Sequence, residues 1–161
     1  MGYETGAVKY FIGMLTSGWG LITAYLYADG LLHPMDYVEG YTCVNDITAI
    51  DWGGRENYGV RTKGMDTFCP TGPVLDTDVG DTNPERDVTV RVNGDLVADS
   101  NTDMMIFSVT ELISHVSKYM TLEPGDVIAS GAPPENRNLT PGDNVEIEVE
   151  GVGSLENPVE S

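Results

Sequence analysis

Side chains able to do chemistry are few in this chain. It holds two histidines (His33, His115), two cysteines (Cys43, Cys69) and three lysines (Lys9, Lys63, Lys118), against 26 aspartates and glutamates. Asn45-Asp46-Ile47-Thr48 places a carboxylate near the end of a predicted strand. Such a hard oxygen suits magnesium, which selects carboxylates and water in octahedral geometry; an Asx turn at the strand end is the plainer use. Lys63 by itself reads as a solvated surface lysine, the usual state of that residue. Around Gly131, in Ser130-Gly131-Ala132-Pro133, backbone N–H groups are available to an anion, although Ala132 brings no hydroxyl. The cysteines lie 26 positions apart without a CxxC spacing. They read as two buried thiols of a reducing, cytoplasmic compartment, not as a zinc site or disulfide. His115 falls within a predicted helix near the edge of its apolar stripe, a structural position.

The elements that must position these residues come from a chain of 161 residues, enough for one domain that buries roughly two-thirds of its unfolded surface. Eight basic residues leave a net charge of −18, which excludes nucleic acid and anionic membrane surfaces as natural partners. The carboxylates are dispersed, as in proteins of salt-loving organisms, where salt screens self-repulsion. Tyr10 to Ala28 carries no formal charge and is long enough to span a bilayer. Gly13, Gly18 and Gly20 with Thr16, Ser17 and Thr23 lower its apolarity, so core strands with a turn at Ser17-Gly18 are expected instead.

From Met35 onward the chain is well punctuated. Tyr37–Thr48 is rich in Tyr, Val, Thr and Ile and predicts a strand ending near Asp46. Cys69-Pro70-Thr71-Gly72-Pro73 predicts a rigid turn. Val88, Val90 and Val92 alternate with polar residues before Asn93-Gly94, the strongest short hairpin signal. Ser108 and Glu111 form a capping box ahead of Val109, Leu112, Ile113, Val116 and Met120, which predicts one principal helix over 108–120. Two L-x-P-G-D turns, at 122–126 and 139–143, each feed a strand: Val127–Ala129 and Val145–Glu150. The fold class is therefore α+β, rich in β.

Five segments taken in order resemble the fumarylacetoacetate hydrolase family: 35–51 (MDYVEGYTCVNDITAID), 63–73 (KGMDTFCPTGP), 90–107 (VRVNGDLVADSNTDMMIF), 122–134 (LEPGDVIASGAPP) and 139–159 (LTPGDNVEIEVEGVGSLENPV). Residues 35–159 are family-like and 1–34 diverge, within a single catalytic domain over 1–161. The resemblance implies a mixed β-sandwich roll around the active site and a homodimer. It implies hydrolysis, decarboxylation or isomerisation of a small 2-oxo acid or acylpyruvate-like substrate, with bound magnesium or manganese. By the same resemblance, Asp46 is a metal ligand, Lys63 the catalytic lysine, and Ser130 and Gly131 part of the loop that holds the substrate carboxylate.

Departures from the family pattern bear on activity. The family takes two further ligands from a Y-E-x-E strand; Tyr3-Glu4-Thr5-Gly6 matches it only at Glu4, with Gly6 in the second glutamate's place. Aligning through Ile12-Gly13 instead puts Thr5 and Ala7 at the ligand positions. Gly64-Met65 stands for the usual Ser-Phe, Ala132 for a threonine and Ile50 for an arginine. The family's His/Glu pair, a general base acting on water, has no counterpart, since neither His33 nor His115 matches it. Two expectations follow: an enzyme of the family with weak metal affinity, or a scaffold that has lost activity.

Overall fold

The computed structural model describes residues 6–16, 34–49, 60–78, 85–135 and 137–160; for 6–16 it is the backbone path. The strands are β1 (Gly6–Thr16), β2 (Val38–Thr48), β3 (Thr71–Asp76), β4 (Asp87–Val92), β5 (Asp95–Asn101), β6 (Val127–Ala129), β7 (Asn144–Val149) and β8 (Gly153–Pro158). The helices are α1 (Val60–Lys63) and α2 (Val109–Ser117), with short 3-10 turns at Pro34–Tyr37 and Thr102–Met104. Two four-stranded sheets result, ordered β3-β2-β1-β6 and β5-β4-β7-β8. Every pairing among the described strands is antiparallel. The β-rich α+β class with one principal helix is the one expected.

The second sheet follows directly from alternation. Val88, Val90 and Val92 on β4 pair with Val149, Ile147 and Val145 on β7, and all six point into the core between the sheets. The intervening Thr89, Arg91, Glu146 and Glu148 face outward. Asn93 and Gly94 form the two-residue turn joining β4 to β5, both at positive φ (54° and 84°), a geometry that Asn-Gly accepts without strain. The repeated L-x-P-G-D turns share one device. Asp126 Oδ2 accepts from Glu123 N and Asp143 Oδ2 from Thr140 N, each at 2.7 Å.

Helix α2 begins where the capping box places it. Ser108 Oγ accepts from Glu111 N and Glu111 Oε2 accepts from Ser108 N. It is shorter than predicted: Lys118 is its C-cap, and Met120 lies outside it, 64% exposed. Val109 and Ile113 supply the buried stripe. Three other expectations are corrected. Thr71 to Pro73 do not form a turn but open β3, an edge strand, where proline costs no ladder bond on the open side. β2 continues past Asp46 to Thr48. Cys43 is buried but Cys69 is exposed, because it lies in the turn before that edge strand. Of the uncharged segment Tyr10–Ala28, residues up to Thr16 belong to β1 and the remainder lies outside the described residues. Among the described residues no helix is long and apolar enough to cross a membrane.

The sheets are tied at one edge by Arg86, which precedes β4. Its guanidinium donates to Asp76 Oδ2 on β3 (2.5 Å) and to Glu150 O beyond β7 (3.0 Å), and lies over the Tyr41 ring of β2. Burial pushes the Tyr41 hydroxyl up to about 12, so it stays protonated there.

Candidate functional site

β2 carries the site, and it is buried on both faces: Gly40 to Asp46 are all buried. Beyond β3 the chain stays zipped to this strand. Asn45 N, Ile47 N and Ala49 N donate to Pro70 O, Phe68 O and Thr62 O at 2.9, 3.0 and 2.9 Å. Residues 62–70 therefore run beside the end of β2, and α1 delivers Lys63 to it. Since side chains alternate along a strand, Asp46 and Thr48 share one face. Lys63 meets both: its Nζ pairs with Asp46 Oδ2 and donates to Thr48 Oγ1 at 3.1 Å. The Asp46 side chain is 11% exposed and that of Lys63 36%, so the carboxylate is largely enclosed and the lysine is the more open member of the pair. A cation held there, with hydrogens to spare, can meet an anionic oxygen.

On the other side of β2, β1 places Lys9 directly across from Asp46, after an irregular step between Gly6 and Lys9 that contains Ala7. Glu4 and Thr5 lie outside the described residues, as does His33. Among the described residues, no three His, Cys, Asp or Glu side chains converge on a point that could hold a metal. Asp46 offers one hard oxygen, short of the several that magnesium gathers.

Ser130 and Gly131 follow β6, which pairs with β1 as far as Ala129 opposite Gly13. Together with Ala132, Pro133 and the 100–107 segment they line a cavity of about 560 Å³, whose walls include Met104, Ile106 and Phe107. Neither Asp46 nor Lys63 is among its described walls. The structure thus brings Asp46 and Lys63 together and sets Ser130 and Gly131 on a separate cavity. His115 is exposed and stacks at a tilt on Tyr119, 5.2 Å between ring centroids, away from these residues. Burial raises the Cys43 thiol to about 11, and its Sγ donates to Gly153 O (3.4 Å), so it is no nucleophile. Thr48 was not singled out from the sequence; its place two residues after Asp46 on a strand was the available signal.

The model "Fumarylacetoacetate (FAA) hydrolase C-terminal" matches residues 32–160, and the chain belongs to the fumarylacetoacetate hydrolase family. It is 46% identical over 124 residues to an uncharacterized protein of Methanocaldococcus jannaschii, covering 77% of this chain and 52% of that one. To "Oxaloacetate tautomerase YisK" of Bacillus subtilis it is 44% identical over 132 residues, covering 77% of this chain and 44% of the relative. The solved 5-carboxymethyl-2-hydroxymuconate delta-isomerase from Mycobacterium smegmatis superposes with a TM-score of 0.86 at 31% identity, over 98% of this chain and 60% of that one. The chain spans about half the length of the curated relatives it matches.

Proposed function

We propose that this chain carries the catalytic domain of an enzyme that acts through the enolate of a small 2-oxo acid, with keto–enol isomerisation as its reaction. The carrying observation is the Lys63 ammonium, held by Asp46 and Thr48 with the carboxylate largely enclosed and the lysine partly open to solvent. Relatives named for oxaloacetate tautomerisation and for muconate isomerisation favour isomerisation over hydrolysis or decarboxylation. Both reactions move a proton between carbon and oxygen of an enolisable acid.

In this reading Asp46 holds Lys63 in one rotamer, and Lys63 donates to the 2-oxo oxygen as negative charge gathers there. A donor set before the reaction stabilises that charge without reorganisation. On a chain of net charge −18 a local cation also offsets the repulsion of an anionic substrate. A magnesium or manganese ion, when bound, supplies a Lewis acid for the oxo and carboxylate oxygens; Asp46 is the described residue whose oxygen suits it. The loop at Ser130 and Gly131 would receive the far end of the substrate. Function as a homodimer belongs to the same proposal, with the exposed Ile106 (90%) and Phe107 (59%) as an apolar patch that a second copy would cover. So does a cytoplasmic location, which suits two free cysteines.

The test is decay of the enol absorbance of oxaloacetate, with and without magnesium, beside hydrolysis of an acylpyruvate. Catalysed ketonisation that falls about a hundredfold in Lys63→Met, in a protein still folded at the assay temperature, is expected. Decay at the solvent rate for both substrates would leave the inactive scaffold as the better reading. Ala132, which brings no hydroxyl to the substrate loop, favours that second reading.

A further inference from the structure

Asn45 is fully buried on the face of β2 turned away from Lys63, toward the second sheet. Its Nδ2 donates across the gap to Asn157 Oδ1 on β8 at 3.3 Å, while its own Oδ1 has no partner among the described residues. Its neighbours along that face are Cys43, in the apolar core, and the partly buried Ile47 packed against it. An unsatisfied acceptor in such a place opposes folding, and a leucine there would avoid the cost.

A reason to keep the amide lies in the strand itself. Burial normally sets register, because a slip of one residue turns every side chain to the wrong face. β2 lacks that safeguard, since Val44 on one face and Cys43 on the other are equally buried. Its ladders are regular only in part: Lys9 to Leu15 pair in step with Asp46 to Gly40, but pairing with β1 shifts on either side of that stretch, and pairing with β3 shifts between Tyr41 and Cys43. A slip by one would turn Asp46 into the gap between the sheets and away from Lys63. The Asn45–Asn157 bond tells the two faces apart, because only one alignment of β2 sets an amide donor against the β8 acceptor. A lone buried asparagine fixes alignment in coiled coils by the same logic.

We infer that Asn45 is a positioning residue, which pins the register of β2 through Asn157 and so keeps Asp46 facing Lys63. The inference rests on the Asp46–Lys63 site proposed above, but its test needs no turnover, so an inactive protein would sink that function and leave this test intact. The readouts are the β2 backbone amides and the Lys63 ammonium by ¹H–¹⁵N NMR, with the thermal midpoint. The parent should show one set of β2 amides and a slowly exchanging ammonium. Asn45→Leu should keep or raise the midpoint, and Asn157→Leu, which leaves the buried Asn45 amide without its acceptor, should lower it; both should double the β2 amides and weaken the ammonium signal. Asn157→Asp retains the accepting oxygen and should restore the parent pattern. Single β2 resonances with an intact Lys63 signal in Asn157→Leu would overturn the inference, as would an Asn157→Asp protein that behaves like Asn157→Leu. Should Asn45→Leu fail to fold, the two Asn157 variants decide alone.

Discussion

The two sheets differ in how they are built and in what they do. In the second sheet, polar and apolar residues alternate, the six core side chains of β4 and β7 meet in pairs, and pairing runs without a shift from β4 through β7 to β8, with one shift toward β5 between Val90 and Arg91. In the first, β2 is buried on both faces, its ladders shift register, and its edge strand contains Pro73. The regular sheet supplies much of the core, and the irregular one carries the Asp46–Lys63 pair on which the proposed function rests. Site residues need polar groups in buried places, which a strictly alternating strand does not provide. The difference teaches that an irregular strand can hold a carboxylate and an amine together when a regular partner supports it.

This comparison is most sharply tested by truncating the regular sheet. Ile147 is fully buried and pairs with Val90 in the middle of that sheet. Ile147→Ala should lower stability by about 2–5 kcal/mol, through lost transfer energy and the cavity left behind. Urea denaturation checks it. Lys63→Met, which leaves the Asp46 carboxylate of the irregular sheet without its cation, should cost less, about 1–2 kcal/mol. Equal losses from both would break the division of labour.

Arg86 joins the two regions, so its removal probes their coupling. Arg86→Leu leaves the Asp76 carboxylate without its guanidinium, with both side chains less than a fifth exposed. A loss of about 2 kcal/mol is expected, with faster amide exchange in β3 before β4. Uniform exchange across both sheets would mean that Arg86 stabilises the molecule as a whole and does not act as a clasp for one edge. A smaller effect concerns charge. β8 sets Glu156 directly across from Glu146 on β7, and like charges so placed repel. Molar potassium chloride should raise the thermal midpoint by a few degrees, since the screening length falls to about 3 Å at that strength. An unchanged midpoint would separate the acidic composition from any adaptation to salt.

What could be read from the sequence divides along the same line. The β4–β5 hairpin, the strand of β7 and the start of α2 were legible, because alternation, Asn-Gly and a capping box are local signals. β3 was missed because Pro70 and Pro73 read as a turn, and only the sheet order shows it to be an edge, where proline is tolerated. Met120 fell outside the helix because the chain leaves α2 at Lys118, while the apolar spacing continues past it. Asp46 and Lys63 stood out through the family motif, and their meeting depends on main-chain bonds from β2 to residues 62–70, which no local pattern encodes. Thr48 and Asn45 carry no local signal of their roles for the same reason: their partners are remote in sequence or unmarked by type.

The smallest expected effect tests whether those local signals act locally. Ser108→Ala removes the N-cap of α2 and should cost about 1 kcal/mol, with little change in either sheet. The pH dependence has a definite sign. The Ser108 hydroxyl and then the Ser108 N–H donate to the Glu111 carboxylate and hold it below its ordinary 4.5. A carboxyl lowered by folding contributes stability that is complete above its unfolded value and is lost as pH falls through the folded one. The α2 amides at Ser108 and Glu111 should therefore shift only below about pH 4.5, and in Ser108→Ala the Glu111 titration should move upward toward its ordinary range. Glu111 is fully exposed, so the effect should appear in NMR titration of the helix terminus and scarcely in the global unfolding curve. An acid transition of the whole molecule that tracked Glu111 would mean the cap is coupled to the core, and that the helix is not the independent, locally encoded element its sequence suggests.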